Sequence, residues 1–117
     1  MKRLIGKRLV IIESPYAGNV EQNIEYARKC LLDSLRRGEA PFASHLLYPH
    51  QHVLNDAALD EREEGMQAGF AWGDIADARV VYADHGISPG MARAIHRSRT
   101  LGQLVEYRKI LGAEVAA

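Results

Sequence analysis

Residues 79–95 read RVVYADHGISPGMARAI. Val80-Val81-Tyr82-Ala83 is a short apolar run of strand type. Asp84-His85-Gly86 breaks it, and a helical pattern restarts at Ser88-Pro89-Gly90. A buried strand, a polar turn and a helix N-terminus in direct succession form the unit from which open α/β sheets build ligand sites. The unpaired N–H groups of a first helical turn, with the helix dipole, favour an anion there. Pro89 suits the first helical position, where its missing N–H costs nothing. Ser88 is a good N-cap, and its hydroxyl is of a kind that donates to a phosphate. Alone, the stretch reads as a capped helix behind a core strand. The rest of the chain favours a ligand site there.

Working outward, the same unit opens the chain. Arg8–Glu13, RLVIIE, is a β-branched run bounded by charge, hence a buried strand. Ser14-Pro15-Tyr16-Ala17-Gly18 is a turn by composition, and Asn19 is placed to cap a helix. Val20, Ile24, Ala27, Leu31 and Leu35 then recur at helical spacing, with Gly38 as the stop. Ala40–His45, APFASH, reads as a second short strand, with Pro41 at its start or on a sheet edge. An irregular loop with His50 and His52 comes next; no acid or cysteine stands beside them, so no metal site is expected.

Asp60–Asp77, DEREEGMQAGFAWGDIAD, opens acidic, as a helix N-terminus prefers, and carries Met66, Phe70 and Gly73 at helical spacing. The helix after Ser88 buries Met91 and Ile95 and stops at Gly102. Leu104–Tyr107 is a last strand, and a tail runs from residue 108. Strands alternate with helices, which predicts an α/β domain with a doubly wound parallel sheet of four to five strands and helices on both faces. Right-handed crossovers bring all strand C-terminal ends to one edge. Ser14–Gly18, His45 and Asp84–Ser88 therefore meet there.

Composition narrows the class. A chain of 117 residues is one domain, with its core expected over about 8–107. The 15 Lys and Arg balance the 15 Asp and Glu, so there is no basic footprint for nucleic acid. The lone cysteine, Cys30, cannot staple the chain and fits a cytoplasmic setting. Nothing resembles a membrane span or a secretory signal. A GxGxxG fingerprint is absent, so no dinucleotide cofactor is indicated, and none of any kind is expected.

SPYAG after the first strand, PFASHLLYP around the second, and GISPGM with Ile95 after the third resemble the nucleoside 2-deoxyribosyltransferase superfamily. The likeness is to its small bacterial and phage branch, which includes nucleoside 5′-monophosphate N-glycosidases. It implies a Rossmann-like fold, a homo-oligomer, and cleavage or transfer at the N-glycosidic bond of a nucleoside or nucleotide. That chemistry develops positive charge on the sugar, which a carboxylate under C1′ stabilises or traps. In the family a pattern resembling [Asp/Ser]-x-Gly-x-x-x-Glu opens the third helix, and its Glu is the nucleophile. Here it falls on Ser88 to Ala94. Ser88 matches the monophosphate type, because a neutral hydroxyl tolerates a phosphate that a carboxylate would repel.

Ala94 stands where the nucleophile is expected. Either a glutamate has been replaced to trap a substrate, the reading favoured by the otherwise intact site, or the chain is a relative that binds its nucleotide without chemistry. Glu13 and Asp84 are the alternative carboxylates, and Asp77 loosely matches an aspartate that positions groups in the family. The resemblance sets the ligand against Ser14, Tyr16, Gly18, His45, Ser88, Gly90 and Met91. A homodimer is expected through helices such as 60–76, and a chain so altered is expected to bind nucleotide but scarcely turn it over.

Overall fold

The computed structural model describes residues 3–112. Four strands, β1 (Leu9–Glu13), β2 (Ala40–Phe42), β3 (Ala78–Tyr82) and β4 (Leu104–Arg108), alternate with three helices, α1 (Val20–Arg36), α2 (Leu59–Asp74) and α3 (Pro89–Thr100). All pairings are parallel, in the order β2-β1-β3-β4. The chain steps outward from β1 to β2, then crosses back to β3 on the other side. The winding therefore reverses between β1 and β3, which is where doubly wound folds leave a crevice for a ligand.

Alternation along the strands divides the core. Val10, Ile12, Ala78, Val80 and Tyr82 face α1 and pack on Tyr26 and Cys30. On the other face Val81 packs on Met91 and Ile95 of α3. Ile11 and Arg79 lie on that second face beneath α2, close to Gly73. Fully buried parallel strands are normally continuous apolar runs. Arg79, 1% exposed as the second residue of β3, breaks that rule.

The helix ends follow their capping residues. The Asn19 side chain accepts from the Gln22 amide at 3.2 Å, and Ser88 Oγ accepts from the Met91 amide at 3.3 Å. Gly38, at φ +84°, takes the left-handed conformation that closes α1. Three boundaries differ from expectation. β2 stops at Phe42, and Ser44–Leu46 winds into a 3₁₀ turn that tucks His45 back over the sheet. α2 ends at Asp74, because Ile75 and Ala76 close onto Trp72 and Gly73 carbonyls in a tight turn. β4 extends to Arg108, where the sequence pattern suggested a tail. No helix among the described residues is long and apolar enough to cross a membrane.

Candidate functional site

A cleft opens over the carboxyl ends of β1 and β3, walled by the 3₁₀ turn, α2 and the start of α3. It holds about 910 Å³ of empty space, its open mouth included. Ser14, Tyr16, His45, Ser88, Gly90, Met91 and Ala94 all line it. The three polar turns thus meet at one edge, as the alternation of elements requires.

Each wall is fastened separately. Tyr16 donates its hydroxyl to the Pro49 carbonyl at 2.6 Å and packs edge-on against the His50 ring. Asn23 of α1 donates to the Tyr16 and Ala17 carbonyls at 2.9 and 3.0 Å, fixing the first turn from below. Ser14 Oγ and His45 Nε2 lie 2.7 Å apart. Burial, and secondarily the charge of His50, hold the His45 pKa down at about 4, so its ring stays neutral near pH 7. α2 approaches because it carries glycine where it crosses: a Cβ on Gly69 would lie 2.6 Å from Ser44 Oγ.

Two side chains of the cleft lining form a buried ion pair. Arg79 donates through Nη1 to the Glu13 carboxylate and through Nε to Ser98 Oγ at 2.5 Å. Ser98 in turn donates to Gln103 Oε1 at 2.6 Å, and Gln103 Nε2 donates to the Gly73 and Ala76 carbonyls. Arg79 Nη2 has no hydrogen-bond partner among the described residues. The Glu13 side chain is 16% exposed and lines the cleft. Burial raises its pKa to about 7 against the opposing pull of Arg79.

Three expected residues lie elsewhere. Asp77 is at the opposite edge of the sheet: it precedes β3, accepts from the Leu9 amide at 2.7 Å and pairs with Arg3 at 2.6 Å. The five residues of β3 separate it from the edge where the strands end. Asp84 follows β3, but its carboxylate turns away to accept from the Tyr26 hydroxyl at 2.5 Å and from the Ile110 and Leu111 amides at 3.0–3.1 Å. It is a clasp between α1 and the segment after β4. Gly18 adopts φ +98° in the first turn but does not line the cleft; its role is the turn itself.

From sequence, Glu13 reads mainly as a solvent-facing strand end, and nothing singles out Arg79, Asp56, Glu61 or Arg62, which also line the cleft. The usable signal is in ARVVY, where an arginine interrupts an otherwise apolar buried strand and so demands an acidic partner. Asp56, Glu61 and Arg62 carry no such pattern.

A family model described as a domain of unknown function, DUF7768, matches residues 8–108, and the chain belongs to that family. No curated protein matches the chain.

Proposed function

We propose that the cleft binds a nucleoside 5′-monophosphate and belongs to the class of sites that act on N-glycosidic bonds. The observation that supports this most directly is that Ser88 and Ala94 line one cleft with Ser14, Tyr16 and His45. These are the positions that resemble the nucleoside 2-deoxyribosyltransferase pattern, and they come from three separate turns. The first turn of α3 suits the phosphate: an anion there meets a helix N-terminus and a neutral hydroxyl. Arg62 lines the same cleft, together with the acids Glu13, Asp56 and Glu61; Arg79 is committed to Glu13. Arg93 is committed elsewhere, in a two-point pair with Glu63 at 2.6–2.7 Å.

Position 94 brings no acid to this site. Ala94 is 2% exposed, so its methyl group is packed against the wall of the cleft. A covalent intermediate at that residue is chemically impossible. The same methyl group supports a second reading, that of a binding protein without chemistry.

Titration calorimetry with nucleoside monophosphates and the matching nucleosides tests the first claim. Monophosphates should bind more tightly; equal affinity removes the phosphate assignment. Ala94→Glu tests the relation to the glycosidases: chromatography should show free base released faster than by the unaltered chain. An inert, more weakly binding variant favours the binding protein.

A further inference from the structure

We infer that Glu13 is the acid–base residue of this cleft, taking the proton of a water that attacks the sugar in place of the carboxylate absent at position 94. The inference rests on the nucleotide reading above and adds the group that does the chemistry.

The geometry carries it. Glu13 and Arg79 occupy the same face of adjacent parallel strands, offset diagonally, since Glu13 is in register with Val81 and Ile11 with Arg79. Val81 of that face supports α3 at Met91, and Met91 and Ala94 line the cleft together with Glu13. The methyl group at 94 and the carboxylate at 13 therefore belong to one chamber.

Arg79 is a costly residue to bury, because a buried cation needs a partner and hydrogen bonds on every side. Here Nε of its guanidinium donates to Ser98, which Gln103 holds in turn, Nη1 donates to Glu13, its acidic partner among the described residues, and Nη2 has no partner among them. Such a frame holds one carboxylate in one orientation at the cleft wall. The other acids of the lining sit differently: Glu61 accepts from the Asn55 amide at 3.2 Å at the start of α2, and Asp56 lies in the loop before it. Asp84 is turned away and fully engaged.

The charge in contact with Glu13 is Arg79 of β3; Asp56, Glu61 and Arg62 share the cleft lining with it, as does His45 of the 3₁₀ turn, a neutral ring. A carboxyl that titrates near 7 is matched to passing a proton both ways at neutral pH.

The step balances without a co-reactant other than water. The water oxygen bonds to C1′ while one of its protons passes to Glu13. The C1′–N bond breaks, and its electron pair leaves on the base nitrogen. Glu13 then gives the proton to the departing base, so one water is consumed and a sugar 5-phosphate and a free base result.

The test uses the full chain with a panel of ribo- and 2′-deoxyribonucleoside 5′-monophosphates, reading base release by chromatography and binding by calorimetry. The unaltered chain should release base slowly, with a rate that falls as pH drops below about 7. Glu13→Gln should bind the same nucleotide within a few-fold and lose on the order of 100-fold or more in rate. If losing the partner of Arg79 unfolds that variant, Glu13→Gln with Arg79→Met removes the stranded charge and should fold, bind and remain inactive. Base release by either variant at the rate of the unaltered chain overturns the assignment. So does nucleotide binding with no base release from the unaltered chain, which leaves the nucleotide reading standing. Failure of every nucleotide to bind or react overturns both.

Discussion

Ser14 Oγ lies 2.7 Å from His45 Nε2, tying the end of β1 to the turn after β2. The contact sits beside the Glu13–Arg79 pair, and His45 and Glu13 shift stability with pH in opposite senses. His45 has a folded pKa of about 4 against an ordinary 6.5, so the folded state resists its protonation. That contribution is present above pH 6.5 and is lost as pH falls toward 4, at a cost of roughly 3 kcal/mol by linkage. Glu13 runs the other way: its folded pKa of about 7 exceeds the ordinary 4.5, so the folded state holds its proton longer, and stability declines as pH rises from 4.5 to 7. Between pH 4.5 and 6.5 the two slopes oppose each other. Denaturant unfolding across this range should show His45→Gln losing stability with rising pH and Glu13→Gln gaining it. Parallel slopes in the two variants would refute the assignment of opposite shifts.

The glycines of α2 should resist replacement for reasons of contact. A Cβ on Gly73 would stand 2.7 Å from Arg79 Nη2, and one on Gly69 would stand 3.0 Å from Ser44 Cβ as well as close to its hydroxyl. Alanine gains up to about 1 kcal/mol of helix propensity over glycine. Overpacking here should outweigh that, with Gly69→Ala and Gly73→Ala each less stable by about 1–3 kcal/mol in urea. Gly90→Ala is the control: no atom outside its own turn lies within 4 Å of the added carbon, so stability should hold or rise.

Asp84→Asn should loosen a clasp without touching the cleft. Burial pushes the Asp84 carboxyl up, but the Tyr26 hydroxyl and the Leu111 and Ile110 amides outweigh it and hold it below its ordinary range. A depressed carboxylate contributes stability at neutral pH that disappears as acid protonates it. The variant should lose about 1–3 kcal/mol at pH 7 and show a smaller acid-induced loss than the unaltered chain. Hydrogen exchange should quicken at Ile110 and Leu111 first. Unchanged protection there would argue against the clasp.

Tyr16→Phe removes one hydrogen bond, to the Pro49 carbonyl, and leaves the ring against His50. A stability loss of about 1 kcal/mol is expected. Nucleotide affinity should fall by more than that energy implies, because the first turn and the loop after β2 would no longer be held as a pair. Calorimetry at one temperature, beside urea unfolding, separates the two effects.

Strand, helix and turn were legible because each signal was local. The run LVIIE, the Asn19 and Ser88 caps and the Gly38 stop act within a few residues. The meeting of Ser14, His45 and Ser88 followed from alternation alone. The features that escaped depend on a third dimension. Asp77 and Asp84 flank the same strand and look alike as letters, yet one faces the wrong edge and the other is captured by α1. Arg79 and Glu13 are distant in sequence, and only the register of β1 on β3 puts them on one face. The 3₁₀ turn that withdraws His45 depends on α2 packing over Ser44 through Gly69.

The register of β1 against β3 has a kinetic meaning as well. Val10 pairs with Ala78 across the whole of α1, β2 and α2, and the third wall of the cleft arrives later still, with α3. Pairings of such long sequence separation are slow to form, since loop closure is paid before any contact rewards it. A nascent chain interrupted before Ala94 would lack one wall of the cleft. On the nucleotide reading proposed above, binding requires the completed fold, and a nucleotide present during refolding should stabilise the finished domain without speeding the early steps that build it.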